Sequence, residues 1–238
     1  RPIHGNWSCL PGNFDPLHAL ELLPSDNEWG IPAINGIAEP INIDWFMAYD
    51  DWRTEIHNKR KPTPEGAGVV HFFMDDYRFE PAWKTPAKAM EYLEGAHFVL
   101  SPDFSLYRDH PPALWLWNIY RSRWLGAHWQ QHGMNVIPTV SWSGVNSFPF
   151  CFLGLPKNAV LAISTVGVST ADETAQELFR LGYTEMCRQL EPVQVICYGE
   201  RFPVELEDLA RCDVFPPYQM KLRELDKRTI AVAPDTWE

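Results

Sequence analysis

Two short apolar segments, each followed by acidic and aromatic residues, constrain the fold of this chain more than any other feature. The first, residues 69–74, precedes Asp75 and Asp76, and the second, residues 97–100, comes shortly before Asp103. Each segment is too short for a helix and rich in β-branched and aromatic residues, which predicts a buried strand. Because ligands in parallel α/β folds bind beyond the carboxyl ends of the strands, we expect a functional site where these segments end.

The same alternation of short apolar segments and helical patterns continues along the chain. Later strands are predicted at residues 135–140, 159–164, 193–197 and 214–215, with a further early strand at residues 41–49. Helices are predicted at residues 86–94, 111–132, 172–190 and 203–211. About six βα units predict a mostly parallel α/β sheet that is curved or partly closed, like a (β/α) barrel.

Composition divides the chain into three predicted parts. Residues 1–68 are dense in Pro, Gly and Asn, which is typical of an irregular N-terminal extension packed on the core. Residues 69–220 carry the βα alternation and are predicted to form the core domain. Residues 221–238 are charged and are predicted to form a peripheral tail.

The net charge of the chain restricts the classes of partner that it is expected to bind. The formal net charge of −11 argues against generic binding to DNA or to anionic membranes, since both need a basic surface. No apolar run approaches the length of a membrane-spanning helix, so no membrane partner is expected. A small nucleotide-like ligand, a component of a nucleic acid, or a host protein attracted by negative charge remains compatible with this composition.

The cysteines and histidines carry no recognisable metal or nucleophile motif. The five cysteines are odd in number, scattered and without CxxC spacing, which predicts free thiols in a reducing cytoplasm. His71 and His97 fall inside predicted strands, so we expect both to be core histidines with satisfied hydrogen bonds. No P-loop, dinucleotide-binding or nucleophile-elbow motif is present.

Asp75, Asp76 and Asp103 are the candidate catalytic residues. Carboxylates that converge on one rim raise one another's proton affinity, which separates acid and base roles. The same oxygens are the ligands that Mg²⁺ prefers, so a magnesium cofactor stays open as an alternative. The structural alternative is that one Asp caps a turn while another pairs with Arg78.

The residues beside these carboxylates are candidate substrate-binding residues. Arg78 and Arg108 occupy matching places after the two segments, where a guanidinium either neutralises the carboxylates or binds a phosphate or carboxylate. Tyr77, Tyr107 and Trp142 are predicted at the same mouth, where aromatic rings stack on a base or sugar or pack under a loop.

Asn118 and Arg121, which lie on a predicted helix, are further candidate substrate-binding residues. They lie three residues apart in the helix predicted at residues 111–132, which is apolar almost all round and therefore predicted to be buried. Polar side chains on a buried helix need partners, and the carboxylates of the two rim turns are the expected ones.

Four motifs resemble one known family. The chain is similar over residues 69–200 to the domain-of-unknown-function family catalogued as forty-four seventeen, which is found in phages and mobile elements. The resemblance implies a phage or mobile-element origin in a bacterial cytoplasm and supplies no reaction. The motifs are His71-Phe72-Phe73-Met74-Asp75-Asp76-Tyr77-Arg78-Phe79-Glu80, Ser101-Pro102-Asp103-Phe104-Ser105-Leu106-Tyr107-Arg108, Asn118-Ile119-Tyr120-Arg121-Ser122-Arg123 and Ile137-Pro138 leading to Trp142.

Three functions are compatible with these residues. The first is an enzyme that hydrolyses or transfers a glycosidic or N-glycosidic bond in a nucleotide or nucleic-acid component, with Asp residues as acid and stabiliser. The second is a non-enzymatic acidic protein that binds and inhibits a host defence protein. The third is a Mg²⁺-dependent phosphodiester hydrolase that uses the same Asp residues as ligands.

Overall fold

The computed structural model describes residues 22–169, 171–199, 206 and 208–217. Three predicted parts lie outside these described residues: the tail at residues 221–238, the first 21 residues of the extension, and residues 203–205 and 207 of the helix predicted at residues 203–211. The division of the chain at residues 68 and 220 stays a prediction.

Parallel strands alternate with helices, which confirms the predicted α/β class. Short apolar segments form the strands because they are buried on both faces, as in β2, where all four residues are buried. The described strands are β1 (Trp45–Ala48), β2 (Gly68–His71), β3 (Phe98–Leu100), β4 (Val136–Ile137), β5 (Val160–Ser164), β6 (Gln194–Tyr198) and β7 (Cys212–Phe215).

Neighbouring strands in space are also neighbours in sequence. One parallel ladder joins β1, β2, β3 and β4, and a second joins β5, β6 and β7. A parallel bridge between Thr139 and Ala162 links the two, and Val140 N donates to the Ala162 carbonyl at 2.8 Å. The strands therefore form one curved arc in chain order.

The two edges of this arc approach each other through side chains. The rings of Phe46 on β1 and Phe215 on β7 stack with centroids 4.9 Å apart. Within the described chain no ladder joins β1 to β7, so the sheet is barrel-like but open. Its inner face is filled by buried apolar residues from successive strands, including Val69, Leu100 and Ile196.

The helices cover the outer face of the arc. Sequence patterns located α3, α4 and α6 to within a few residues. The described helices are α1 (Tyr49–Asp51), a π-helical turn (Trp52–His57), α2 (Asp76–Lys84), α3 (Pro86–Leu93), α4 (Pro112–Gln131), a 3-10 turn (Val145–Ser147), α5 (Phe148–Cys151) and α6 (Glu173–Leu190).

Helix α2 corrects the sequence prediction of an acidic turn after β2. The helix begins at Asp76 and contains Pro81. Phe79, Ala82 and Trp83 share one face at helical spacing and are almost fully buried against the core. Burial of two large rings outweighs the cost of an internal proline, a balance that local propensity does not reveal.

Helix α4 is buried, as its apolar sequence predicted. It also carries a buried cation, Arg123, whose guanidinium donates to the carbonyls of Thr139 (2.9 Å), Cys151 (2.9 Å) and Leu153 (3.2 Å). Burial lowers the pKa of Arg123 to about 10. This side chain ties the segment after β4 to α5 and so fixes one wall of the site described below.

The predictions made for the cysteines and histidines are confirmed at some of the described residues and wrong at one. Cys151, Cys187, Cys197 and Cys212 are free thiols. His71 is a core histidine, as predicted: its Nδ1 accepts from Phe73 N at 3.2 Å, and burial lowers its pKa to about 3. The same prediction for His97 is wrong, because this residue precedes β3 and is exposed. Among the helices of the described chain, none has the length and apolar character needed to cross a bilayer.

Candidate functional site

A cleft of about 640 Å³ opens beyond the carboxyl ends of β3, β4 and β5. This is where ligands bind in parallel α/β folds, and the volume lies in the range of small-molecule sites. The cleft is lined by Asp103, Ser105, Leu106, Tyr107, Arg108, Asp109, Val140, Ser141, Trp142, Ser143, Ser164, Val166, Gly167, Val168, Asp172, Ala175, Leu178 and Phe179.

Asp103 is the most perturbed acid of the cleft. Burial, together with the charge of Asp76, raises the pKa of its carboxyl to about 7, although a hydrogen bond with the Ser141 side chain and the charge of Arg123 act in the opposite direction. Its Oδ1 is buried and has no hydrogen-bond partner. A carboxyl of this kind carries its proton over much of the neutral range and can donate it to a bound ligand.

Asp76 lies behind the cleft wall and is fully engaged. Its carboxylate accepts from Ser105 N at 3.1 and 3.2 Å and from Ser105 Oγ at 2.7 Å. Ser105 lines the cleft, so Asp76 fixes the backbone that follows β3 and adds negative charge beside Asp103.

Asn118 and Arg121 brace the same backbone from α4. Asn118 Nδ2 donates to the Ser105 carbonyl at 2.7 Å, and Arg121 donates to Asn118 Oδ1 at 2.6 Å. Arg121 also pairs with Glu80 of α2 at 2.8 Å. The carboxylate that pairs with Arg121 thus lies within α2 rather than in a rim turn, and Asn118 binds a backbone carbonyl. Both side chains serve a structural network rather than the cleft surface.

Asp75, Tyr77 and Arg78 do not line the cleft. Asp75 is exposed, and Tyr77 is 76% exposed. Arg78 Nε binds Asp50 Oδ2 at 2.7 Å, which holds the start of α2 against α1. The structure thus brings Asp103, Tyr107, Arg108 and Trp142 together and leaves the residues after β2 elsewhere, apart from Asp76 behind the wall.

Arg108 and Asp172 join across the mouth of the cleft. Arg108 Nη2 lies 2.9 Å from Asp172 Oδ2. Asp172 is also the N-cap of α6, because its Oδ1 accepts from Ala175 N at 3.0 Å. That backbone hydrogen bond, followed by the neighbouring Arg108, lowers the pKa of Asp172.

Trp142 forms the aromatic wall. Its indole Nε1 donates to the Leu178 carbonyl of α6 at 3.2 Å, and its ring packs over Gly182, where a Cβ would overlap the indole. The neighbouring Ser143 is 6% exposed, and its hydroxyl is buried without a hydrogen-bond partner.

Ser141, Ser143 and Asp172 are site residues that sequence reasoning missed. The two serines directly follow the predicted strand at residues 135–140, so the strand-end argument applied to Asp103 would also have selected them. Asp172 could have been found as the start of the predicted helix at residues 172–190.

A metal centre of three protein ligands is not formed by these carboxylates. Among the described residues, no group of three or more His, Cys, Asp or Glu side chains is arranged to hold a metal ion. The arrangement of Asp103, Trp142 and Ser143 is suited instead to proton donation beside a stacked, hydrogen-bonded ligand.

The chain matches known proteins over most of its length. The family described as "Domain of unknown function (DUF4417)" matches residues 23–216. The Gene 1 protein of Mycobacterium phage L5 is 36% identical over 220 residues, which cover 92% of each chain. The Gene 1 protein of Mycobacterium phage D29 is 36% identical over 219 residues, covering 92% of this chain and 78% of the relative. No solved structure matches the chain significantly.

Proposed function

This chain belongs to the DUF4417 family, and on that premise we propose that it is an enzyme that hydrolyses or transfers an N-glycosidic bond, with Asp103 as the general acid. The relatives are phage proteins, which favours action in the cytoplasm of a bacterial host. In that setting a nucleotide or nucleic-acid component is a more fitting substrate than a polysaccharide.

The observation that carries this proposal is the environment of Asp103. A proton-bearing carboxyl with one buried, unpartnered oxygen lines a cleft of ligand size. N-glycosidic cleavage needs an acid at this position, because the departing base is a poor leaving group until it is protonated. Protonation by a positioned side chain contributes roughly 10²–10⁴-fold to such reactions.

The other residues take supporting roles. Asp103 gives its proton to the leaving nitrogen as the C–N bond breaks, water adds to the sugar carbon, and the proton released by water returns to Asp103. Negative charge from Asp76 behind the wall favours the oxocarbenium-like transition state. Trp142, with Tyr107 at the exposed rim, is suited to stack on the base or sugar.

Two alternatives make different demands on the same cleft. An acidic inhibitor of a host protein would present its carboxylates on a convex face with the rim residues internally paired, whereas Asp103 lines a concave cleft and one of its oxygens has no hydrogen-bond partner. A Mg²⁺-dependent phosphodiesterase would need Asp75, Asp76 and Asp103 around one ion, and only Asp103 lines the cleft. Both observations favour acid catalysis.

The test is product analysis with a matched variant. The wild type and Asp103→Asn are incubated with nucleosides, nucleotides and modified DNA, and the products are identified by mass spectrometry. We expect release of free base by the wild type, reduced at least about 100-fold in Asp103→Asn. Asp75→Asn removes the same charge from an exposed site outside the cleft lining and serves as the control.

Three outcomes would contradict the proposal. Base release that survives in Asp103→Asn would exclude Asp103 as the acid. Cleaved phosphodiesters that disappear on chelation would favour the magnesium mechanism. No product from any pool, together with capture of a host protein at a defined stoichiometry, would make this a binding protein.

A further inference from the structure

One carboxylate, Asp172, satisfies both features of the cleft that would otherwise attract an anion. The first is Arg108, whose guanidinium it binds at 2.9 Å. The second is the N-terminus of the 18-residue helix α6, where it accepts the Ala175 N–H at 3.0 Å. Helix N-termini and arginines are the usual phosphate-binding groups of α/β proteins. Here the chain supplies its own anion to each of them.

The charged residues around the cleft also disfavour an anionic ligand. Three carboxylic residues, Asp103, Asp109 and Asp172, line it, and Arg108 is the one Lys or Arg among the described lining residues. The protein as a whole carries a formal net charge of −11. An entering phosphate would compete with Asp172 for Arg108 and would be repelled by the charges of Asp172 and Asp109.

The cleft nevertheless offers polar groups to a ligand. The Ser143 hydroxyl is buried without a partner, and Asp103 Oδ1 is in the same condition. Buried polar atoms of this kind are normally satisfied, and a ligand that supplies hydroxyl, amide or ring-nitrogen groups would satisfy them. Trp142 adds an apolar wall to the same cleft.

We infer that Asp172 is a specificity-determining residue that closes the cleft to phosphate groups, so that the ligand is an uncharged, nucleoside-like glycoside rather than a nucleotide. The identity of the ligand as a nucleoside rests on the proposed function. The exclusion of anions rests on Asp172, Arg108 and α6 and does not require any reaction.

The experiment measures binding rather than turnover. Calorimetric titrations compare inorganic phosphate, the four ribonucleosides and their 5′-monophosphates on the wild type and on Asp172→Asn. Asn keeps a favoured N-cap side chain while it removes the charge and frees Arg108. For the wild type we expect at least one nucleoside to bind at least about tenfold more tightly than its monophosphate. In Asp172→Asn we expect monophosphate affinity to rise at least about tenfold, with nucleoside affinity changed less than about threefold.

Matched variants separate this effect from general charge. Glu185→Gln removes one negative charge from the same helix, at a site paired with Arg188 away from the cleft, and should behave as the wild type. The double variant Asp172→Asn/Arg108→Gln should lose the gained phosphate affinity. Asp172→Ser, with another favoured cap residue, repeats the measurement if the Asn variant folds poorly. The gain should shrink in high salt, whereas nucleoside binding should not.

Each of the other possible results contradicts one specific part of this inference. Equal affinity of the wild type for a nucleoside and its monophosphate, or no greater gain in Asp172→Asn than in Glu185→Gln, overturns Asp172 as the excluding residue. Absence of nucleoside binding to the wild type overturns the nucleoside as the ligand. Failure of the proposed reaction would appear instead as a lack of base release, with the binding pattern unchanged.

Discussion

The segments that follow β2 and β3 carry the same residue types and end in different places. After β2, residues 72–75 lead at once into α2, and Asp75, Tyr77 and Arg78 lie outside the cleft. After β3, residues 101–111 form a long connection without helix or strand before α4, and Asp103, Tyr107 and Arg108 line the cleft. The path of the backbone after the strand, and not the residue type, decides which Asp, Tyr and Arg reach the site.

Asp76 and Asp103 also differ, in how completely their carboxyl oxygens are hydrogen-bonded. Both oxygens of Asp76 accept hydrogen bonds from Ser105, so its charge is used to hold the backbone. Asp103 has one oxygen without a partner and a pKa raised to about 7. A fully bonded carboxylate stabilises a fold, whereas a partly bonded one is available for chemistry at a cost in stability.

Replacement of Asp76 should give the largest change in stability. Asp76→Ala leaves the Ser105 N–H and hydroxyl without their acceptor, and charged hydrogen bonds of this kind contribute about 1.5–3 kcal/mol each. We expect the free energy of unfolding to fall by about 3 kcal/mol in urea denaturation. The equivalent Asp75→Ala should change it by less than about 0.5 kcal/mol. Equal losses in the two variants would remove the distinction drawn between these neighbours.

Replacement of Asp103 should raise rather than lower the free energy of unfolding, and it should do so only above mildly acidic pH. Its pKa rises from an ordinary 3.8 to about 7 on folding, so the folded state binds the proton more tightly. The stability of the wild type therefore falls as pH rises from about 4 to about 7 and then levels off with respect to this group. We expect Asp103→Asn to be more stable than the wild type by at least about 1 kcal/mol at pH 8 and nearly equal to it at pH 4. A variant less stable than the wild type at pH 8 would show that the Asp103 charge is compensated in the folded state.

The smallest effect is expected at the Arg78–Asp50 pair. The two side chains are 40% and 17% exposed, and partly exposed ion pairs contribute about 0–1 kcal/mol. A double-mutant cycle with Arg78→Gln and Asp50→Asn should therefore give a coupling energy below about 1 kcal/mol that falls with added salt. A larger, salt-insensitive coupling would mean that this pair is a structural counterpart of the Asp76–Ser105 contact.

The sequence was sufficient to predict the strands and the helices α3, α4 and α6, because their signals are local. Short apolar runs with turn residues at their ends predicted strands near each observed one, and α6 followed from its periodic apolar residues and Asp172. Helix α2 was missed because Asp75, Asp76 and Pro81 are turn-forming residues, and its stability comes from Phe79 and Trp83 packing on distant parts of the chain.

The cleft was predictable only in part, for the same reason. The strand-end argument identified Asp103, Tyr107, Arg108 and Trp142, but it gave equal weight to the residues after β2. What separates the two sets is the backbone conformation after each strand and the Asp76–Ser105–Asn118–Arg121 network, which joins α2, the segment after β3 and α4. The pairing of Arg108 with Asp172 spans 64 residues and has no local signature.

The order of the strands has a consequence for how the protein is made. Because each strand pairs with the one before it, every βα unit can dock on the unit already formed while the ribosome is still adding residues. The exception is the last step, in which Phe215 comes to rest on Phe46, joining the final strand to the first. A nascent chain that stalls before residue 212 would therefore leave the edge strand β1 without its aromatic contact to β7.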